Sequence, residues 1–190
     1  MRSLSLLAAV IVVSLAPCLP AQAATKSYED YLHALGKRES GNNYSIANSL
    51  GYLGRFQFGE AALTDCRFYA GDGTRKNDWM GRFRDEAVAQ GVSSRSDFLA
   101  TPKFQDYAIL RFNEIQWATI VRIDLPQYIG RTVGGVTITR SGMLGGAHLV
   151  GPGALKKFLV SNGANVPVDG NGTRITEYMR LFAGFDVPFH

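Results

Sequence analysis

The segment from Thr101 to Ile123 constrains the fold of this chain more than any other part of the sequence. Thr101-Pro102 is a strong helix start, because threonine caps a helix N-terminus and proline fits its first turn. Beyond it, apolar residues fall on every side of the predicted helix, among them Phe104, Phe112 and Trp117. A helix that is apolar all round is stable only when it is buried. We therefore expect a central helix around which the rest of the chain packs.

The other structural signals are shorter. Ser27 is suited to cap a helix with Asp30 as its acidic partner, and Gly41 is suited to end that helix. The glycine pair Gly134-Gly135 lies between two short apolar runs and predicts a small hairpin. Further predicted elements are helices over residues 60–70, 141–150, 153–162 and 175–183, and loops over residues 42–59 and 75–96, the second with a short helix. The predicted class is mainly α with one small β-hairpin.

Residues 1–23 are typical of a cleavable signal peptide. Arg2 supplies a positive start, residues 4–16 a short apolar run, and Ala21-Gln22-Ala23 a small-x-small cleavage pattern. The apolar run is shorter than the roughly 20 residues that a membrane-spanning helix needs, so an uncleaved anchor is the less favoured alternative. We predict a periplasmic or secreted protein with no stable membrane insertion, in which residues 24–190 form a single domain.

Cysteine count and charge limit how this domain is held together and what it binds. Only Cys66 remains after the predicted cleavage, so no internal disulfide can form and the apolar core must stabilise the fold. The formal net charge of the whole chain is +4, which suits an anionic partner such as cell wall or a membrane surface. No run of Lys and Arg is dense enough to indicate nucleic acid. The three histidines lack ligand spacing, so neither a metal site nor a cofactor is predicted.

Glu39 is the strongest candidate for chemistry on physical grounds alone. Helical steps from Tyr31 and Leu35 place it on the inward stripe of the first helix, and it stands at the C-terminal end of that helix. Burial and the negative end of a helix dipole both favour a protonated carboxyl group, which is the form that a general acid needs. The structural alternative is a surface glutamate paired with Lys37 or Arg38.

Three short patches, in order along the chain, carry a resemblance to a known superfamily. They are Glu39-Ser40-Gly41, the turn Gly54-Arg55-Phe56-Gln57, and Gly151-Pro152-Gly153-Ala154-Leu155. They resemble the lytic transglycosylases and goose-type lysozymes, whose members have an E-S-G after the first helix, a G-L-M-Q-like turn and A-Y-N-A-G-x-G-x-V before a later helix. The resemblance covers most of residues 24–190, with identities confined to the three patches.

The resemblance implies a lysozyme-like helical domain with a sugar cleft, peptidoglycan glycan strands as the partner, and Glu39 as the catalytic acid. The bond implied is the β-1,4 link between N-acetylmuramic acid and N-acetylglucosamine. Ser40 and Gln57 match family positions that contact the sugar; their structural alternatives are a solvated helix terminus and a side chain that braces its turn. Where the third motif has tyrosine and asparagine, this chain has His148-Leu149. His148 is therefore either a neighbour of the catalytic glutamate or a structural histidine in the core.

Aromatic and acidic residues complete the set of substrate-binding candidates. Tyr44, Tyr52 and Trp79 are placed where they could stack on sugar rings. Glu60 follows the position at which goose-type enzymes carry an aspartate. It is either a second carboxylate for the sugar or an acidic residue in the first turn of a helix, where the dipole favours it.

Two mechanisms and one non-catalytic function stay open at this stage. A hydrolytic muramidase needs a second carboxylate such as Glu60. A lytic transglycosylase needs one glutamate, and this route is predicted because only Glu39 stands out. A wall-binding or assembly protein with a decayed site is the third alternative, favoured by the changed tyrosine-asparagine pair. A cell-envelope secretion or assembly apparatus stays open as a further partner.

Overall fold

The computed structural model describes residues 26–189, so the predicted signal peptide and its cleavage site lie outside the described residues. The helices are α1 (Tyr28–Ser40), α2 (Glu60–Asp65), α3 (Asp85–Ala89), α4 (Arg95–Ala100), α5 (Pro102–Arg122), α6 (Arg140–Val160) and α7 (Ile175–Leu181), with a 3-10 turn at Pro126–Tyr128. The strands are β1 (Tyr69–Ala70), β2 (Arg82–Phe83), β3 (Thr132–Val133) and β4 (Val136–Thr137). The mainly α class is confirmed. No helix in the described range is long and apolar enough to cross a membrane.

Local signals explain where α1 begins and ends. The Ser27 hydroxyl accepts a hydrogen bond from the Asp30 amide, and the Asp30 carboxylate accepts one from the Ser27 amide, which completes a capping box. Gly41 ends the helix in the left-handed region with a φ of 67°, a conformation that costs glycine little. Residues close in sequence are therefore sufficient to place Glu39 in the last turn of α1.

The predicted central helix is observed as α5, but it is not buried on every side. Phe104, Phe112 and Trp117 lie in the core as expected. Leu110 and Val121, however, are 40% and 47% exposed. Helix α5 packs mainly against α6, α2 and α4, and these neighbours cover only part of its circumference. Single exposed apolar residues are common on folded proteins.

A kink interrupts α6 where two separate helices were predicted. Gly151 has φ 78° and ψ 160°, outside the helical region, and Pro152 follows it with no amide hydrogen to donate. The first half of α6 therefore ends next to His148. This break in the helix forms one wall of the cleft described below.

The strands occupy two places in the chain. The hairpin predicted around Gly134-Gly135 is present as β3 paired with β4. The helix predicted over residues 60–70 is wrong beyond Asp65, because Tyr69 and Ala70 leave helical geometry and pair with β2. Strands of two residues leave no alternating pattern in the sequence, so this second pair had no readable signal.

The described residues contain one cysteine, the free Cys66, and an apolar core stabilises their fold. Buried apolar side chains from α1, α5, α6 and α7 join in a single cluster that also contains Cys66. Burial raises the pKa of the Cys66 thiol to about 12, so the thiol stays protonated at neutral pH. Cys66 is therefore a small core residue.

Candidate active site

A cleft of about 460 Å³ brings together residues that are far apart in the sequence. One wall comes from the last turn of α1 and from the loop over residues 48–57. The opposite wall comes from the kink of α6, the loop over residues 167–173, and α7. Glu39, Gln57 and His148, which the sequence analysis singled out, all line it.

One carboxylate oxygen of Glu39 accepts a hydrogen bond, and the other has no partner among the described residues. Its side chain is 16% exposed, and Oε1 accepts a hydrogen bond of 2.6 Å from the Tyr178 hydroxyl on α7. Within residues 26–189, Oε2 has no hydrogen-bond partner, and Glu39 forms no ion pair with Lys37 or Arg38. The surface ion pair considered in the sequence analysis is therefore not formed. An oriented carboxyl group with a free oxygen in a cleft is suited to donate a proton to a bound ligand.

Tyr178 is a permanent hydrogen-bond donor to Glu39. Its side chain is buried, and burial, together with the charge and hydrogen bond of Glu39, raises the pKa of Tyr178 far above its usual range. The Arg38 guanidinium, 5.4 Å from the centre of the Tyr178 ring, opposes this shift in part. Because the phenol stays protonated, it stabilises the ionised form of Glu39 that remains after proton donation.

His148 is the second polar neighbour of Glu39. Its Nε2 lies 3.7 Å from Oε1 of Glu39, and its side chain is 11% exposed. Burial lowers the pKa of His148, while the Glu39 carboxylate and the Phe56 backbone offset part of that shift. The imidazole is therefore neutral at pH 7. The sequence analysis left two alternatives for His148, and its position next to Glu39 in the cleft matches the first.

The Gln57 side chain both braces its own turn and lines the cleft. Its backbone has a φ of 50°, its Nε2 donates a 2.9 Å hydrogen bond to the Gly54 carbonyl, and its side chain lines the cleft. Tyr52 lines the cleft as well and is 38% exposed. Trp79, expected near the sugar, is not among the lining residues; its Nε1 donates to the Gly51 carbonyl at 2.8 Å.

Ser40 and Tyr44, two further substrate-binding candidates, do not line the cleft. The Ser40 hydroxyl donates to the Arg55 carbonyl at 2.8 Å and accepts from the Asn43 amide at 3.0 Å. The Tyr44 hydroxyl donates to Asp106 at 2.9 Å and lies 2.8 Å from Nη1 of Arg55, which is itself paired with Asp106 at 3.1 Å. Both residues therefore hold the loop that follows α1 in place.

Glu60, the last substrate-binding candidate, lies in a different pocket from Glu39. It begins α2 and accepts a hydrogen bond from the Trp79 amide. The carboxylate oxygens of Glu60, Asp72 and Asp78 lie within 4.8 Å of one another. Burial raises the pKa of Glu60, the Trp79 amide offsets part of the shift, and Asp78 and Asp72 raise it further. This placement favours the structural alternative for Glu60.

We expect Glu60→Gln to change the stability of the protein in a pH-dependent way and to leave the cleft around Glu39 intact. A carboxyl group whose folded pKa is raised contributes most to stability at low pH, and that contribution is lost as pH rises from the unfolded value to the folded one. Denaturation at pH 4 and pH 7 should therefore show the variant gaining relative to wild type at the higher pH. A Glu60→Gln protein whose stability relative to wild type is the same at pH 4 and pH 7 would contradict this expectation.

Two cleft residues escaped the sequence analysis. Tyr178 lies on the helix predicted over residues 175–183, but its partner Glu39 is 139 positions away, and periodicity gives no information about such pairs. Asp169 is the only other carboxylate that lines the cleft within the described residues. Its Oδ1 accepts hydrogen bonds from the amides of Asn171 and Thr173 at 2.9 and 2.7 Å.

Comparisons with known proteins found nothing similar to this chain. No protein-family model matches the chain, and no match was found among curated proteins or among solved structures.

Proposed function

We propose that this protein is an exported enzyme that cleaves the β-1,4 bond between N-acetylmuramic acid and N-acetylglucosamine in peptidoglycan, by the lytic transglycosylase route. The observation that carries the proposal is the environment of Glu39. A carboxyl group at the end of α1 lines a cleft with Oε2 unpaired, while Oε1 is held by a buried tyrosine. The motif resemblance indicates that the substrate is the glycan of peptidoglycan, and the geometry around Glu39 supports its role as the catalytic acid.

Cleavage begins with proton transfer from Glu39. In the protonated enzyme, the carboxyl proton passes to the glycosidic oxygen as the bond to the muramic-acid anomeric carbon breaks. The hydrogen bond from Tyr178 stabilises the carboxylate that forms. The neutral imidazole of His148 adds no positive charge beside that carboxylate.

Glu39 then acts as the base that closes the reaction. It removes the proton from the 6-hydroxyl of the same muramic-acid residue, and the oxygen attacks the anomeric carbon to form an anhydro ring. The carboxyl group is thereby protonated again and ready for another turnover. One carboxyl group serves both steps, so this route needs no second carboxylate; Oδ1 of Asp169 accepts two hydrogen bonds from its own loop.

The position of Asp169 in the cleft favours the hydrolytic alternative. It replaces Glu60 as the best second carboxylate, because it lines the same cleft as Glu39. In a hydrolase, Asp169 would support a nucleophilic water or the sugar cation. Its two hydrogen bonds to backbone amides fit better with a residue that shapes the loop over residues 167–173.

The products of the reaction distinguish the two routes. We expect mass spectrometry of fragments released from purified peptidoglycan to show anhydro-muramic ends. We also expect Asp169→Asn, which keeps an acceptor oxygen for the loop amides, to retain most of the wild-type rate. Reducing muramic ends together with an inactive but folded Asp169→Asn would establish the hydrolase. Binding of the wild type to peptidoglycan without any released fragment would instead establish a wall-binding protein.

A further inference from the structure

Arg38 is an unpaired cation at the edge of the cleft. It precedes Glu39 in the last turn of α1 and is the only lysine or arginine among the described residues that line the cleft. It makes no ion pair with any residue in the range 26–189. Its recorded contact is with the Tyr178 ring, 5.4 Å from the guanidinium carbon to the ring centre. Arg38 is exposed, so its side chain is accessible to a ligand.

We infer that Arg38 binds a carboxylate of the glycan and so makes the cleft selective for acidic over neutral sugar strands. This inference rests on the proposed function and names the feature of the substrate that the site recognises. A guanidinium presents a planar fork of N–H donors that matches a carboxylate in a bidentate pair. Among the described residues, the carboxylates that line the cleft are those of Glu39 and Asp169, and neither forms an ion pair with Arg38.

The carboxylate has two chemical sources in peptidoglycan. One is the lactyl group of muramic acid, which is a free carboxylate where the stem peptide has been removed. The other is the stem peptide, whose side chains and C-terminus carry carboxylates. Glycan stripped of its peptides offers only the first, and intact sacculi offer mainly the second. Capping the carboxyl groups of either substrate as methylamides removes the charge and leaves the sugar chain unchanged.

Lys37 is a matched control for Arg38. It lies in the same last turn of α1, is exposed, and also places a positive charge at the negative end of the helix dipole. It does not line the cleft. Lys37→Gln therefore removes the same charge and the same helix contribution as Arg38→Gln, without removing a group from the cleft.

The test measures kcat and KM for wild type, Arg38→Gln, Arg38→Lys and Lys37→Gln on both substrates, capped and uncapped. We expect Arg38→Gln to raise KM about tenfold or more on the uncapped substrate that supplies the carboxylate, with kcat little changed. The reason is that the lost contact is a charge-assisted hydrogen bond made in both the ground state and the transition state. Arg38→Lys should recover part of this loss, and Lys37→Gln should match wild type. Capping should raise the KM of wild type and leave that of Arg38→Gln unchanged.

Several outcomes would overturn the inference while leaving the proposed function in place. One is an equal KM for Arg38→Gln and Lys37→Gln in an active enzyme. Another is an Arg38→Gln defect that persists at full size on capped glycan, since Arg38 would then act through its neighbour Glu39. If wild type releases no fragment from any substrate, the proposed function fails and the inference fails with it.

Discussion

We expect Glu39→Gln to lower the rate of peptidoglycan lysis at least 10²-fold, which is the usual minimum cost of losing a general acid. The amide has the shape of the carboxyl group and can still accept the hydrogen bond from Tyr178, but it cannot donate an acidic proton. The variant should therefore fold as the wild type does. The measurement is turbidity loss of purified sacculi, with thermal unfolding followed by circular dichroism on the same samples.

Glu29→Gln is the matched control on the same helix. Glu29 is exposed in the first turn of α1, outside the cleft, so the same chemical change there should leave lysis unaffected. A Glu39→Gln protein that keeps more than about a tenth of the wild-type activity would show that another group supplies the proton.

The largest expected effect on stability comes from Gln105→Leu. The Gln105 amide lies buried on α5 and joins three backbone groups. Its Oε1 accepts from the Arg55 amide at 2.8 Å, and its Nε2 donates to the carbonyls of Tyr44 and Phe98 at 2.9 and 2.8 Å. Leucine has a similar size but satisfies none of them. Each polar group left unpaired in the interior costs about 1–3 kcal/mol, so the free energy of unfolding should fall by about 3 kcal/mol or more.

Gln90→Leu provides the comparison for this change. Gln90 is exposed at the end of α3, and its recorded side-chain hydrogen bond is a long one, 3.5 Å, to the Glu86 carbonyl. The same substitution there should alter the free energy of unfolding by less than about 0.5 kcal/mol. Urea unfolding of both variants gives the difference. A Gln105→Leu protein as stable as Gln90→Leu would mean that the loop over residues 42–59 finds other partners.

Gln105 also holds a loop that forms part of the cleft, so its replacement should affect activity as well as stability. The loop that it holds carries Tyr52 and Gln57, which line the cleft. Loosening this loop should raise KM in Gln105→Leu even at temperatures where the protein remains folded. Activity lost in this way would appear as a rise in KM, whereas Glu39→Gln removes the group proposed to donate the proton.

The parts of the fold that the sequence predicted depend on residues that are close together in the chain. The Ser27–Asp30 capping box, the left-handed Gly41 and the glycine pair between β3 and β4 each act over a few positions. A helix end is set by which nearby groups satisfy its last amides and carbonyls. The location of Glu39 in the last turn of α1 follows from the same local rules.

The tertiary structure alone decided what surrounds that residue. Tyr178 reaches Glu39 across 139 positions, and Gln105 reaches the Arg55 amide across 50. Glu60 lies in a separate pocket although it is close to Gln57 in the sequence. Sequence periodicity tells which side of a helix is buried, but not which helix covers it or at what register. The identity of a candidate acid and of the cation beside it could therefore be read locally, whereas its hydrogen-bond donor and the other carboxylate of the cleft depended on how distant segments pack together.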